Sequence, residues 1–223
     1  MCYSAEASFV ASGVLAGTSI AISRLPKEKT SLLLSAVPAI FAVHQFIEGS
    51  IWLNQGKIEV GISQAVAVFA YALIAYVFWP VFIPLAAYFM EVEKRRRIWM
   101  LICQAVGLGT GLAYLLSIIR SPVQVSVNVC SLSYNINAPD YLLATYLLAV
   151  AVPFLVSSRR GLVRFGLLIL ISFAAAFYLA SNPSFPSVWC FFAAMMSFSL
   201  YFFFRASVPE AERQPEQACP QHR

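Results

Sequence analysis

His44 and Glu48 stand four residues apart inside an apolar stretch that begins Pro38-Ala39-Ile40-Phe41. On a helix this spacing puts an imidazole and a carboxylate on one face, about one turn apart, and Trp52 continues the stripe. Such a pair supports three kinds of chemistry. It can hold a metal, a divalent ion with Cys2, Glu6 or Cys190 as further ligands. It can relay a proton. It can also form a satisfied polar contact between two helices. Cys2 adds an option, because removal of Met1 leaves an amino-terminal cysteine whose amine and thiol chelate together. The other readings of Cys2 are a free thiol, or a disulfide with Cys130 or Cys190. Cys103 reads as packing.

These residues are costly where they stand. An ionisable group inside a membrane span costs about 3 kcal/mol on insertion scales, so each needs a partner or a task. Glu6, Glu48 and Glu91 are the carboxylates in question, and Gln45, Gln64 and Gln104 are the neutral polar candidates.

The composition of the chain around them identifies its solvent. Of 223 residues, 60% are hydrophobic and only 11% charged, and the mean hydropathy is +0.76. Soluble domains carry about 25% charged residues, so a water-soluble globule is excluded, as are disorder and coiled coil. The net charge of +5 does not indicate nucleic acid, since the basic residues sit in short clusters between apolar runs.

Seven stretches approach the roughly 20 apolar residues that a bilayer requires: Ala5–Ser23, Ser31–Leu53, Val60–Met90, Ile98–Ile119, Tyr141–Val156, Gly161–Ala180 and Ser187–Phe204. The fifth is short and contains Pro153. The third is long, and Pro80 and Pro84 predict one bent span. The expected fold is all-α, a polytopic seven-transmembrane helix bundle in one domain over residues 1–205, with residues 206–223 a disordered cytoplasmic tail. Val123 to Val129 alternates apolar and polar residues, which predicts a short strand or hairpin over the outer surface within about 123–134. Gly107, Gly109 and Gly111 form a GxGxG run with no strand before it, which suits close helix packing better than a nucleotide loop.

Seven crossings put thirteen Lys and Arg on one side and leave Lys57 and Arg120 on the other. The positive-inside rule then sets the N-terminus out and the C-terminus in the cytoplasm. Ser4, Glu6, His44, Gln45, Glu48, Trp52, Gln64, Trp189 and Cys190 fall at one depth in the outer half. They predict an outward-facing polar pocket between spans one, two, three and seven. Its ligand is a small molecule or cation, for sensing or transport; Cys2, His44, Glu48 and Cys190 are its candidate metal ligands. Two other classes stay open: a metal-assisted membrane hydrolase or lipid-modifying enzyme, and a structural subunit of a larger complex. Glu91 with Glu93 to Arg97 reads as an interfacial ion-pair cluster. No lysine lies in a span, so a retinal Schiff base is excluded. One histidine in the spans cannot build a tri-histidine zinc site. There is no Walker loop, GxSxG or CxxC.

The opening Met1-Cys2-Tyr3-Ser4-Ala5-Glu6-Ala7-Ser8-Phe9, with Gln45-Phe46-Ile47-Glu48-Gly49, Trp79-Pro80 and Ser187-Val188-Trp189-Cys190-Phe191-Phe192-Ala193-Ala194, resembles a family of bacterial multi-span proteins of unknown function that begin Met-Cys-aromatic-Ser-Ala-x-Ala-Ser-Phe. The resemblance implies a multi-pass protein of the bacterial inner membrane and no known activity. Relatives often carry glutamine at the His44 place, which would move a shared site toward Cys2, Glu48 and Cys190.

Overall fold

The structure, a computed structural model, describes residues 4–55, 63–128, 131–180 and 184–207. Cys2, Cys130 and Lys57 lie outside them, as does the expected tail from 208 onward.

Ser4 starts the first helix, α1 (Ala5–Ser23), by accepting a hydrogen bond from the Ala7 amide. A 3-10 turn (Lys29–Ser31) and a short α2 (Leu32–Ser35) lead into α3 (Val37–Gln55). α1 and α3 pack side by side, and Gly49 is the point of contact. A Cβ there would meet the Phe9 ring at 2.9 Å.

Span three is one continuous helical rod, with its prolines inside it. α4 (Gln64–Ala72) runs into a π-helical segment (Leu73–Phe78) and then α5 (Trp79–Met90). Pro80 has no N–H for the carbonyl one turn back, and its ring crowds that carbonyl; a π-turn immediately before it relieves both problems. Pro84 repeats the omission one turn on, so the Pro80 carbonyl has no helical donor. α6 (Lys94–Arg120) fills the gap. At Gly107 a Cβ would stand 1.9 Å from the Pro80 oxygen, and at Gly111 3.0 Å from the Val77 oxygen. At Gly109 nothing lies within 4 Å. Two of the three glycines therefore exist for helix contact, in small-xxx-small spacing.

After α6 comes the expected hairpin. β1 (Gln124–Asn128) pairs antiparallel with β2 (Ser131–Asn135), with Val125 opposite Tyr134 and Val127 opposite Leu132. Its first strand lies on the surface, with Gln124, Ser126 and Val127 exposed, and its second turns inward. Leu132 is fully buried and Tyr134 nearly so, and both enter a cluster with Ile51, Val68, Tyr71 and Cys190. The hairpin is a plug in one end of the bundle.

The remaining helices are α7 (Tyr141–Leu155), α8 (Arg160–Leu179), α9 (Phe185–Ser197) and α10 (Ser199–Ala206). Six helical rods among the described residues are long and apolar enough to cross a membrane. α7 is apolar but has only 15 residues, about 22 Å against a core of about 30 Å. Of the seven expected spans, six are long enough to cross, and the fifth, expected to be short, is the 15-residue α7. Large apolar side chains such as Ile20, Leu101, Leu112, Ile119 and Ile171 are exposed on the outer faces. With that surface the chain is a multi-pass membrane protein whose solvent is lipid.

At the end opposite the plug, Glu91 joins three elements. Its Oε1 accepts from the Val92 and Glu93 amides, both 3.0 Å, and from the Ser158 hydroxyl, 2.6 Å. Its Oε2 accepts from the Ser158 amide at 2.8 Å and the Ser157 hydroxyl at 3.2 Å. Nearby, Arg96 donates to the Val156 carbonyl at 2.8 Å. The expected ion-pair cluster is thus corrected. Glu93 pairs with Arg96, while Glu91 is buried and held by hydroxyls and amides rather than by arginine.

Candidate functional site

Glu48 lies in the plugged half of the bundle, two turns before the end of α3. It is 2% exposed. Ser187, near the start of α9, donates its hydroxyl to Glu48 Oε1 in a short hydrogen bond. Gln45, one turn back on α3, donates through Nε2 to Oε2 at 3.3 Å. The ion pairs among the described residues are Glu93–Arg96 and Glu28–Arg159, so no cationic side chain faces Glu48.

His44 is fully buried on the same helix and does not reach Glu48. Its ring stacks on Tyr71 of α4 with centroids 4.3 Å apart. Tyr71 stacks in turn on Tyr134 of the plug, 4.2 Å and 7° from parallel. Among the described residues, both His44 nitrogens, Gln45 Oε1 and the hydroxyls of Tyr71 and Tyr134 have no partner within hydrogen-bond geometry. Buried polar atoms are nearly always satisfied, so five orphans around one carboxylate need a chemical reason. Cys190 is one helical turn after Ser187 on the same face. It is a buried thiol outside any disulfide.

Several residues expected in the pocket stand elsewhere. Ser4 donates to Glu6 Oε2 at 2.9 Å, and Glu6 is exposed, so both belong to the α1 cap. Gln64 is exposed at the head of α4. Trp189 turns away: its Nε1 donates to Ser172 of α8 at 3.2 Å. Its ring lines a small apolar cavity of about 50 Å³ with Phe41 and Trp79. Trp52 packs beside the Tyr71–Tyr134 cluster, and its Nε1 is a further orphan. No group of three or more His, Cys, Asp or Glu side chains among the described residues is arranged to hold a metal. Of the expected metal set, His44, Glu48 and Cys190 are thus not gathered into such a group, and Cys2, the fourth, lies outside the described residues.

The sequence reading missed Ser187, Tyr71 and Tyr134 as members of the site. Ser187 had a signal, since it precedes Cys190 by three residues and so shares its face. Tyr71 and Tyr134 had none beyond their ring type.

A family model covers residues 1–215. The chain belongs to the family of unknown function DUF6629. No curated protein and no solved structure matches the chain. Membership in the family therefore brings no activity with it, and the chemistry has to be read from Glu48 and its neighbours.

Proposed function

We propose that this member of the family is a bacterial inner-membrane protein that binds a small inorganic cation at Glu48, for sensing or transport. The observation that carries the reading is the Glu48 carboxylate itself. It is buried with one hydroxyl and one amide as donors, has no cationic partner among the described residues, and sits near polar atoms that have no hydrogen-bond partner there, Gln45 Oε1 among them. A cation among Glu48 Oε2, Gln45 Oε1 and a tyrosine oxygen would answer both deficits. Hard oxygen donors of this kind favour sodium, potassium, magnesium or calcium over soft metals. The basic residues support an orientation with the plug outside, the Glu91 network in the cytoplasm and the site loaded from outside.

The test is thermal unfolding of the purified chain in lipid nanodiscs against chloride salts of those four ions, with choline omitted and ionic strength held by N-methylglucamine. One of the four is expected to raise the midpoint in a saturable way, because a ligand of the folded state stabilises it by about 2.7 kcal/mol at a hundredfold excess over Kd. Glu48→Gln retains a hydrogen-bond acceptor for Ser187 and removes the charge. It is expected to fold and to lose the shift. A midpoint indifferent to all four ions, or a full shift in Glu48→Gln, sinks the reading.

A further inference from the structure

A second cavity, of about 410 Å³, opens beside the plug between the π-helical segment, α6, α7, α8 and the start of α9. That size is in the range of small-molecule sites. Its wall is unusual in one respect. Five rings line it, Tyr76, Tyr114, Tyr134, Phe177 and Phe185, and the one charged residue in the lining is Asp140. Among the described residues no lysine or arginine lines it, and Asp140 is in no ion pair. Tyr134 is 3% exposed, and its hydroxyl has no partner within hydrogen-bond geometry among the described residues.

Each ligand class fares differently against this wall. An anion finds no positive group, and it meets the negative faces of aromatic rings and a carboxylate. A neutral apolar molecule gains from the rings but leaves Asp140 and the Tyr134 hydroxyl without purpose. An alkylammonium ion uses everything. Its methyl or methylene groups lie on ring faces, where the aromatic quadrupole attracts positive charge by about 0.5–2 kcal/mol per ring, and the carboxylate supplies the counter-ion at the mouth. Inorganic cations are too strongly hydrated to prefer rings over water.

We propose that this aromatic vestibule is a binding site for an alkylammonium group of the choline or ethanolamine type. The site is separate from Glu48 and does not rest on the reading given above, although Tyr134 touches both. The group can arrive as a free amine or as the headgroup of a lipid, since Phe177 in the cavity wall is also exposed on the outer face of the bundle.

Calorimetric titration of the full chain in phosphatidylglycerol nanodiscs with choline tests it. Choline and tetramethylammonium are expected to bind, and 3,3-dimethylbutanol, the uncharged carbon analogue of choline, at least tenfold more weakly. Asp140→Asn is expected to weaken choline at least tenfold, and Phe177→Leu severalfold. Both residues are exposed, and unchanged unfolding midpoints would show that the variants fold. Glu48→Gln is expected to bind choline as the native chain does. Adding phosphatidylcholine to the disc separates the sources: competition with choline assigns the site to a lipid headgroup, and no competition assigns it to the free amine. Absence of choline binding, equal binding of the uncharged analogue, or an unchanged affinity in Asp140→Asn overturns the proposal.

Discussion

Gly107→Ala is expected to unfold or severely destabilise the protein, while Gly109→Ala, two residues away, leaves it intact or slightly stronger. The new Cβ at 107 would stand 1.9 Å from a backbone oxygen, that of Pro80, and 2.8 Å from its carbonyl carbon. Neither atom belongs to a side chain that can rotate aside. The rod of α4 and α5 and the rod of α6 would have to separate along their length. Over-packing of a core costs about 1–3 kcal/mol where side chains can adjust, and a backbone clash sits at or above the top of that range. At Gly109 a methyl enters open space, and replacing a helical glycine by alanine contributes about 0.4–1 kcal/mol through the unfolded chain. Thermal unfolding in detergent reads both. Equal midpoints for the two variants would mean that α6 does not lean on the Pro80 carbonyl.

Glu91→Gln is expected to weaken the opposite end of the bundle, and its effect depends on pH. Burial by itself raises the Glu91 carboxyl. The Ser158 hydroxyl, the Glu93 and Ser158 amides and the Ser157 hydroxyl together outweigh it and hold the group at about 2, below the ordinary 4.5. A carboxyl lowered by folding stabilises the folded state fully above its unfolded value, and that contribution is lost as pH falls toward the folded one. The difference corresponds to something on the order of 3 kcal/mol. The native chain is therefore expected to lose midpoint between about pH 4.5 and 2, with Glu91→Gln already low at neutral pH and flatter across that window. Parallel curves for the two proteins would remove Glu91 from the account. A carboxamide cannot replace a carboxylate that accepts five bonds, because its nitrogen would itself face N–H and O–H donors.

The rods were legible because lipid imposes a local rule: a crossing helix must be apolar for about 20 residues, whatever it touches. The hairpin was legible for the same kind of reason, as alternation from Val123 to Val129 is a local pattern. Depth was partly legible too, and it brought His44, Glu48 and Cys190 to one level. Azimuth was not. Trp189 follows Ser187 by two residues, which is about 200° around a helix, so one reaches Glu48 and the other Ser172 on a different rod. Ser4 and Glu6 shared the depth of Glu48 as well, yet a helix cap used them first. The stack of His44, Tyr71 and Tyr134 joins three elements remote in sequence, and no periodicity within any one of them encodes it.

Glu48 and Ser187 are 139 residues apart in the chain. A ribosome delivering helices in order releases α3 into the bilayer long before α9 has been made. Through most of synthesis the buried carboxylate has only its neighbour Gln45, at an insertion cost of about 3 kcal/mol, and the hydroxyl that completes it comes with the last rod. The nascent protein thus carries an unfinished polar contact until α9 docks.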